Sequence, residues 1–136
     1  MQISVFTDGG SRGNPGISGF GVAIYDESSR IIHQISKFTG IKTNNEAEYL
    51  ALVEALTWVR DHQTEFSSVN FYSDSQLLVR QINGKYKIKA ANIKPLYQLS
   101  LLLVSAIKIP CTFNEILREK NNLADELANL AMDKKL

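Results

Sequence analysis

Residues 2–38 read QISVFTDGGSRGNPGISGFGVAIYDESSRIIHQISKF, and this stretch decides the fold. Residues 2–8 alternate between β-branched or aromatic side chains and polar ones, the period of a strand with one buried face. The following GGSRGNPG, residues 9–16, reads as a turn, because glycine, asparagine and proline supply the backbone conformations that turns require. Residues 19–26 (GFGVAIYD) and 31–38 (IIHQISKF) read as two further strands, joined by the polar turn Glu27–Ser28–Ser29–Arg30. Three consecutive strands with short connections make an antiparallel meander.

From residue 44 the period changes. Over residues 44–61 apolar side chains recur at helical spacing, and Thr43 and Glu46 form a T-x-x-E capping box ahead of them. Residues 68–73 (SVNFYS) read as a short strand, and 75–82 as a short helix closed by Asn83–Gly84. Residues 92–107 read as a helix capped by Asn92, with Pro95 in the first turn, where a missing N–H costs little. Pro110 precedes a last strand, 111–117, and the final helix runs from about Asn122 to Met132. The order is βββαβααβα. Strand–helix alternation in its second half implies an α/β fold, a mixed sheet with helices on its faces.

A chain of 136 residues, 44% hydrophobic and 21% charged, suits one globular domain spanning 1–136 with one core. MQISVFTDGG lacks the basic start and long apolar run of a signal peptide, and LLLVSAI is too short to span a bilayer. The single cysteine, Cys111, excludes an intrachain disulfide, so a cytoplasmic location is the expectation. The formal net charge of +1 does not by itself mark a nucleic-acid binder. The distribution says more: Arg80, Lys85, Lys87, Lys89 and Lys94 fall in a stretch without a single acid. Such a stretch is either a solvated loop or, beside a site that neutralises carboxylates, a surface for a polyanion.

Four acids stand in distinctive settings. Asp8 ends the first strand, where open α/β sheets gather their ligands, although an aspartate before Gly9–Gly10 also suits a plain turn. Glu48 shares a helix stripe with Leu52, Ala55, Leu56 and Val59, so it points toward the sheet. A buried carboxylate needs a partner, and no basic residue lies one turn away on that stripe. A metal ion satisfies it, and so does an edge position that reaches water. Asp74 in YSDSQ and Asp125 in NNLADELANLA have two readings each, as helix-start acids favoured by the dipole or as further ligands. The weight lies in the joint occurrence. Four carboxylates from four segments crowd together only around cations, and hard oxygen donors select Mg²⁺ or Mn²⁺, the ions of phosphate chemistry.

Other features are less specific. GGSRGNPG is not a P-loop, since it lacks G-K-[ST] and no helix follows. Asn14, Asn44, Asn45 and Gln76 place amides near the acids, suited to base edges and 2′-hydroxyls, while Asn44 and Asn45 also sit where a helix is capped. His33 and His62 fall in no ligand spacing, and Trp58 and Cys111 read as core residues.

FTDGGSRGNPG, TNNEAEYLAL, YSDSQ and REKNNLADELANLA together resemble a type 1 ribonuclease H, in that family's order and over essentially the whole chain. The resemblance implies a ribonuclease H-like fold, with a five-stranded mixed sheet whose first three strands are antiparallel. It implies endonucleolytic cleavage of the RNA strand of RNA/DNA hybrids, leaving 5′-phosphate and 3′-hydroxyl ends. It assigns Asp8, Glu48, Asp74 and Asp125 to two Mg²⁺ ions, with Mn²⁺ as a substitute. In that scheme Asp8 is shared between the ions, Glu48 and Asp74 complete one, and Asp125 completes the other. It also implies substrate contacts from Gly9, Gly10, Asn14, Asn44, Asn45, Gln76, the basic Lys85, Lys87 and Lys89, and Arg118, in a monomeric enzyme.

Two departures from the family pattern stand out. The loop before the last helix, Arg118–Glu119–Lys120–Asn121, has no histidine, so Arg118 or Glu119 is left to take over its part. The basic protrusion is reduced to NGKYKIKAANIKPLY, as in the short, handle-free bacterial and archaeal branch. A weaker, salt-sensitive grip follows, with double-stranded RNA as a second candidate substrate. The rival readings are a catalytically inactive hybrid-binding module on the same fold and an integrase-like nuclease, against which the settings of Glu48 and Asp125 argue.

Overall fold

The computed structural model describes residues 1–135 as five strands and four helices in the expected order: β1 (Gln2–Arg12), β2 (Gly16–Tyr25), β3 (Ile31–Lys42), α1 (Asn44–His62), β4 (Ser68–Ser73), α2 (Gln76–Ile82), α3 (Lys94–Ala106), β5 (Cys111–Glu115) and α4 (Asn122–Lys134). The strands form one mixed sheet in the order β3-β2-β1-β4-β5. β1, β2 and β3 pair antiparallel, whereas β4 runs parallel to β1 and β5 parallel to β4. Sequence order and spatial order part between β1 and β4, so the C-terminal ends of these two strands lie side by side.

The first strand is longer than its sequence suggests. Gly9, Gly10, Ser11 and Arg12, expected in a turn, instead continue β1 and pair with Phe20, Gly19, Ser18 and Ile17. Only residues 13–15 turn. β2 accordingly starts earlier than residue 19, and β3 runs on from residue 38 to Lys42. Glycine is disfavoured in a strand by its entropy, but here it admits the helices. A Cβ on Gly9 would run into the Ala47 backbone of α1, and one on Gly21 into the Ala124 carbonyl of α4. The glycines therefore seat α1 and α4 against opposite faces of the same end of the sheet.

The core follows the strand alternation. Ile3, Val5, Val69 and Phe71 pack beneath Leu52, Ala55, Leu56 and Val59 of α1, all of them buried. The capping box forms as expected: Thr43 Oγ1 accepts the Glu46 N–H at 3.1 Å and Glu46 accepts the Thr43 N–H at 2.9 Å. That second bond, first among several causes, holds the Glu46 carboxyl below its ordinary pKa.

Several boundaries differ from the sequence reading. α3 begins at Lys94 after Ile93, and neither Ile93 nor Asn92 supplies a side-chain capping bond. Pro95 does fall in the first turn. The helix read at 75–82 starts at Gln76, capped by Ser75. β5 stops at Glu115, the segment 118–120 forms a short 3-10 turn, and α4 runs two residues past Met132. Trp58 is only partly buried, stacked between His33 at 5.3 Å and His62 at 4.0 Å. Among the described residues no helix is long and apolar enough to cross a membrane.

Candidate metal centre

Four elements each deliver one carboxylate to the same end of the sheet. Asp8 lies in β1, opposite Gly21, and is 8% exposed. Glu48 comes from the second turn of α1, and its Oε1 accepts the Gly9 N–H at 2.8 Å. Its place on the buried stripe of α1 turns Glu48 to the sheet, and this bond holds its carboxylate there. Asp74 occupies the single step between the last residue of β4, Ser73, and Ser75, whose Oγ accepts the Leu78 N–H at 3.2 Å. Asp125 stands in the first turn of α4, with its N–H bonded to the Asn121 carbonyl at 3.1 Å.

Carboxylate oxygens of Asp8, Glu48 and Asp74 all lie within 4.8 Å of one another. Asp125 lines the same open cavity of about 500 Å³, together with Gly9, Gly10, Asn44 and Arg118. Among the described residues, no lysine or arginine nitrogen comes within 4.0 Å of the oxygens of these four acids. Arg118, which lines the same cavity, acts on Asp8, Glu48 and Asp74 through space.

The electrostatics follow from crowding. Burial, then the charge of Asp74 and a hydrogen bond and charge from Asp125, raise the Asp8 pKa to about 8, against a partial offset from Arg118. Burial first, then the charges of Asp8 and Asp74, push Glu48 well above its ordinary value, despite the Gly9 N–H and Arg118. Burial also raises Asp74, with Arg118 opposing it and Asp125 adding to it. Carboxyls whose pKa values are all pushed upward are carboxyls short of positive charge. The donor set is oxygen only and the oxygens converge, which fits a hard divalent cation such as Mg²⁺ or Mn²⁺.

The expected substrate-contact residues divide into groups. Asn44 lines the acidic cavity and Asn14 lies in the turn beside it, but their oxygens serve the protein: Asn14 Oδ1 accepts the Asn44 N–H at 3.0 Å, and Asn44 Oδ1 accepts the Ser11 N–H at 2.8 Å. The Gly9 N–H is occupied by Glu48. Asn45, Lys85, Lys87 and Lys89 line a second groove of about 500 Å³, floored by Gln81, Ile88 and Ile93. Gln76 is exposed at the start of α2 and lines neither cavity. At the edge of the basic groove Arg80 Nη1 donates to Tyr86 Oη at 2.6 Å, and Arg80 Nη2 reaches Glu115 at 3.3 Å.

Sequence reasoning missed three residues here. Arg12 lines the acidic cavity and pairs with Asp133. Asn129 donates to the Asp125 carbonyl at 3.0 Å. Asn121, 1% exposed, donates through Nδ2 to the Thr7 carbonyl at 2.8 Å. The only signal for Asn121 was an Asn-Asn pair ahead of the last helix, which reads equally well as a cap.

A family model described as "Reverse transcriptase-like" matches residues 6–131. A bifunctional protein of Mycobacterium tuberculosis is 35% identical over 98% of the chain, which spans only 36% of that relative's length. A protein named ribonuclease H from Ruthia magnifica is 33% identical over 98% of the chain and 97% of its own length. Among solved structures, LC11-RNase H1 in complex with an RNA/DNA hybrid is 40% identical, with a TM-score of 0.92 and 98% of both chains covered.

Proposed function

Because the chain belongs to the type 1 ribonuclease H family, we propose that it is an endonuclease acting on the RNA strand of RNA/DNA hybrids, leaving 5′-phosphate and 3′-hydroxyl ends. The observation that carries this reading is the convergence of three carboxylates within 4.8 Å, with Asp125 on the same cavity and no cation paired to them among the described residues. Asp8, Glu48, Asp74 and Asp125 would hold two Mg²⁺ ions, or Mn²⁺ in their place, with Asp8 shared. Bound there, the ions would acidify the attacking water and neutralise charge on the leaving 3′-oxygen.

The chain's own residues orient the substrate. Arg118, on the rim of the acidic cavity, offers its guanidinium to the phosphate oxygens of the cleaved strand, in the place left by the absent loop histidine. Lys85, Lys87 and Lys89 take phosphates of the second strand along the neighbouring groove. Gly9 and Gly10 carry no side chain to hold the sugar-phosphate backbone away. The amide NH₂ groups of Asn14 and Asn44 and the amides of Asn45 and Gln76 are suited to 2′-hydroxyls, which only RNA offers. Phosphate and sugar contacts carry no sequence information, so little base preference is expected. Double-stranded RNA as a second substrate, a single domain over 1–136, a monomeric state and a cytoplasmic location belong to the same proposal.

The test is incubation of labelled RNA/DNA, RNA/RNA and DNA/DNA duplexes with Mg²⁺ or Mn²⁺, with the fragment ends mapped. Cleavage of the RNA strand to 5′-phosphate ends supports the reading. Hybrid binding without turnover in either metal would instead make this a binding module.

A further inference from the structure

Asn121 stands at the start of α4 with its side chain turned away from the helix it begins. Asparagine is among the residues best suited to cap a helix N-terminus, where it contributes about 1 kcal/mol. Here its side chain makes no capping bond. Its Nδ2 donates instead across the sheet to the Thr7 carbonyl at 2.8 Å, 114 positions away in sequence. Thr7 is the residue before Asp8, and the β1–β4 ladder ends there at the Thr7–Ser73 pair. The backbone carbonyl of the same asparagine accepts the Asp125 N–H at 3.1 Å, and its N–H donates to the Arg118 carbonyl at 3.0 Å. One buried residue, 1% exposed, thus joins the strand that carries Asp8, the helix that carries Asp125 and the turn that carries Arg118.

We infer that Asn121 is a positioning residue that sets the distance between the Asp8 and Asp125 carboxyls, and with it the affinity of the cation Asp125 helps to hold. The inference rests on the metal-centre reading above. A carboxylate on the end of a helix is only as well placed as the helix itself. α4 packs against β1, β2 and β3, but its first turn is pinned toward Asp8 by this carboxamide. Loss of such supporting hydrogen bonds at metal sites costs roughly 10–100-fold in affinity or activity.

The experiment compares full-length wild type with Asn121→Asp, which keeps the shape but loses the donor, and Asn121→Ser, which loses the bond without charging a buried position. Phe66→Leu, in the core near Trp58 and outside the acidic cavity, serves as a destabilised control. Mg²⁺ and Mn²⁺ binding are followed by calorimetry, and kcat, hybrid KM and metal-free melting are measured in parallel. The expected result is metal affinity and kcat each lowered roughly 10–100-fold in both Asn121 variants, with hybrid KM within about twofold and Phe66→Leu binding metal like wild type. The inference is overturned if either folded Asn121 variant binds metal like wild type, or if Phe66→Leu loses metal affinity equally at matched stability. Wild type that binds Mg²⁺ in an Asn121-dependent way without cutting hybrid would sink the nuclease reading and leave this one standing.

Discussion

The Tyr49 hydroxyl donates to Gln81 Oε1 at 2.7 Å, and both side chains are buried. The bond joins α1, one residue past Glu48, to α2, which follows Asp74. Gln81 also floors the basic groove that holds Lys85, Lys87 and Lys89. One buried hydrogen bond therefore ties the helix that carries Glu48 to a residue that floors the basic groove.

Tyr49→Phe removes the donor and leaves a buried carboxamide oxygen without its partner, which costs about 1–3 kcal/mol. Denaturant unfolding should show that loss. Steady-state kinetics should show a several-fold rise in hybrid KM with little change in kcat. A fall in kcat at constant KM would place the influence of Tyr49 on the acids instead of the groove.

Asp8→Asn is expected to lower cleavage by about 10³-fold or more, since several kcal/mol of transition-state charge stabilisation depend on the ions that Asp8 would share. It also removes one charge from a crowded anionic cluster. Metal-free melting should therefore rise by a few degrees at pH 8, as differential scanning calorimetry can measure. Wild-type turnover in Mg²⁺ would rule out the role given to Asp8.

Asp8 has a folded-state pKa of about 8 against an ordinary value of 3.8, and Glu48 and Asp74 are raised in the same direction. Between these values the folded state binds more protons than the unfolded one, so stability falls as pH rises. Metal-free protein should be more stable near pH 4 than near pH 8 as far as this cluster decides it, by several kcal/mol, the order of magnitude that such shifts carry. Saturating Mg²⁺ should restore the loss at pH 8. A metal-free stability that climbs steadily through that window would contradict the arrangement.

Lys85→Ala, Lys87→Ala and Lys89→Ala should each weaken hybrid binding uniformly across sequences. In an Asp8→Asn background, fluorescence anisotropy at several salt concentrations should show the slope of log K against log salt reduced by about 1 per lysine. An unchanged slope would mean that the groove does not carry phosphate.

The sequence made some of this legible and hid the rest for physical reasons. The order of strands and helices along the chain and the start of α1 were readable because alternation, helical period and the Thr43–Glu46 box are local signals. Glu48 was singled out because its stripe is otherwise apolar. The stretch Gly9–Arg12 misled, since glycine signals a turn unless the partner is known. Its strand conformation comes from pairing with β2 and from the close approach of α1. Asn92 misled in the same way. It looks like a cap and does not cap α3, whereas Asn121, which the sequence did not single out, spends its side chain on Thr7, a partner that no local pattern reveals. The separation of Asn45 and the three lysines into their own groove was likewise invisible until α1 and α2 were placed side by side.

The most direct measurement is anomalous scattering from crystals of the protein grown with Mn²⁺. Mn²⁺ peaks bounded by Asp8, Glu48, Asp74 and Asp125 are expected, and they should be absent in Asp8→Asn. Peaks confined to other surfaces, or an acidic cavity filled by the Arg118 guanidinium with no ion beside it, would contradict the metal-centre reading.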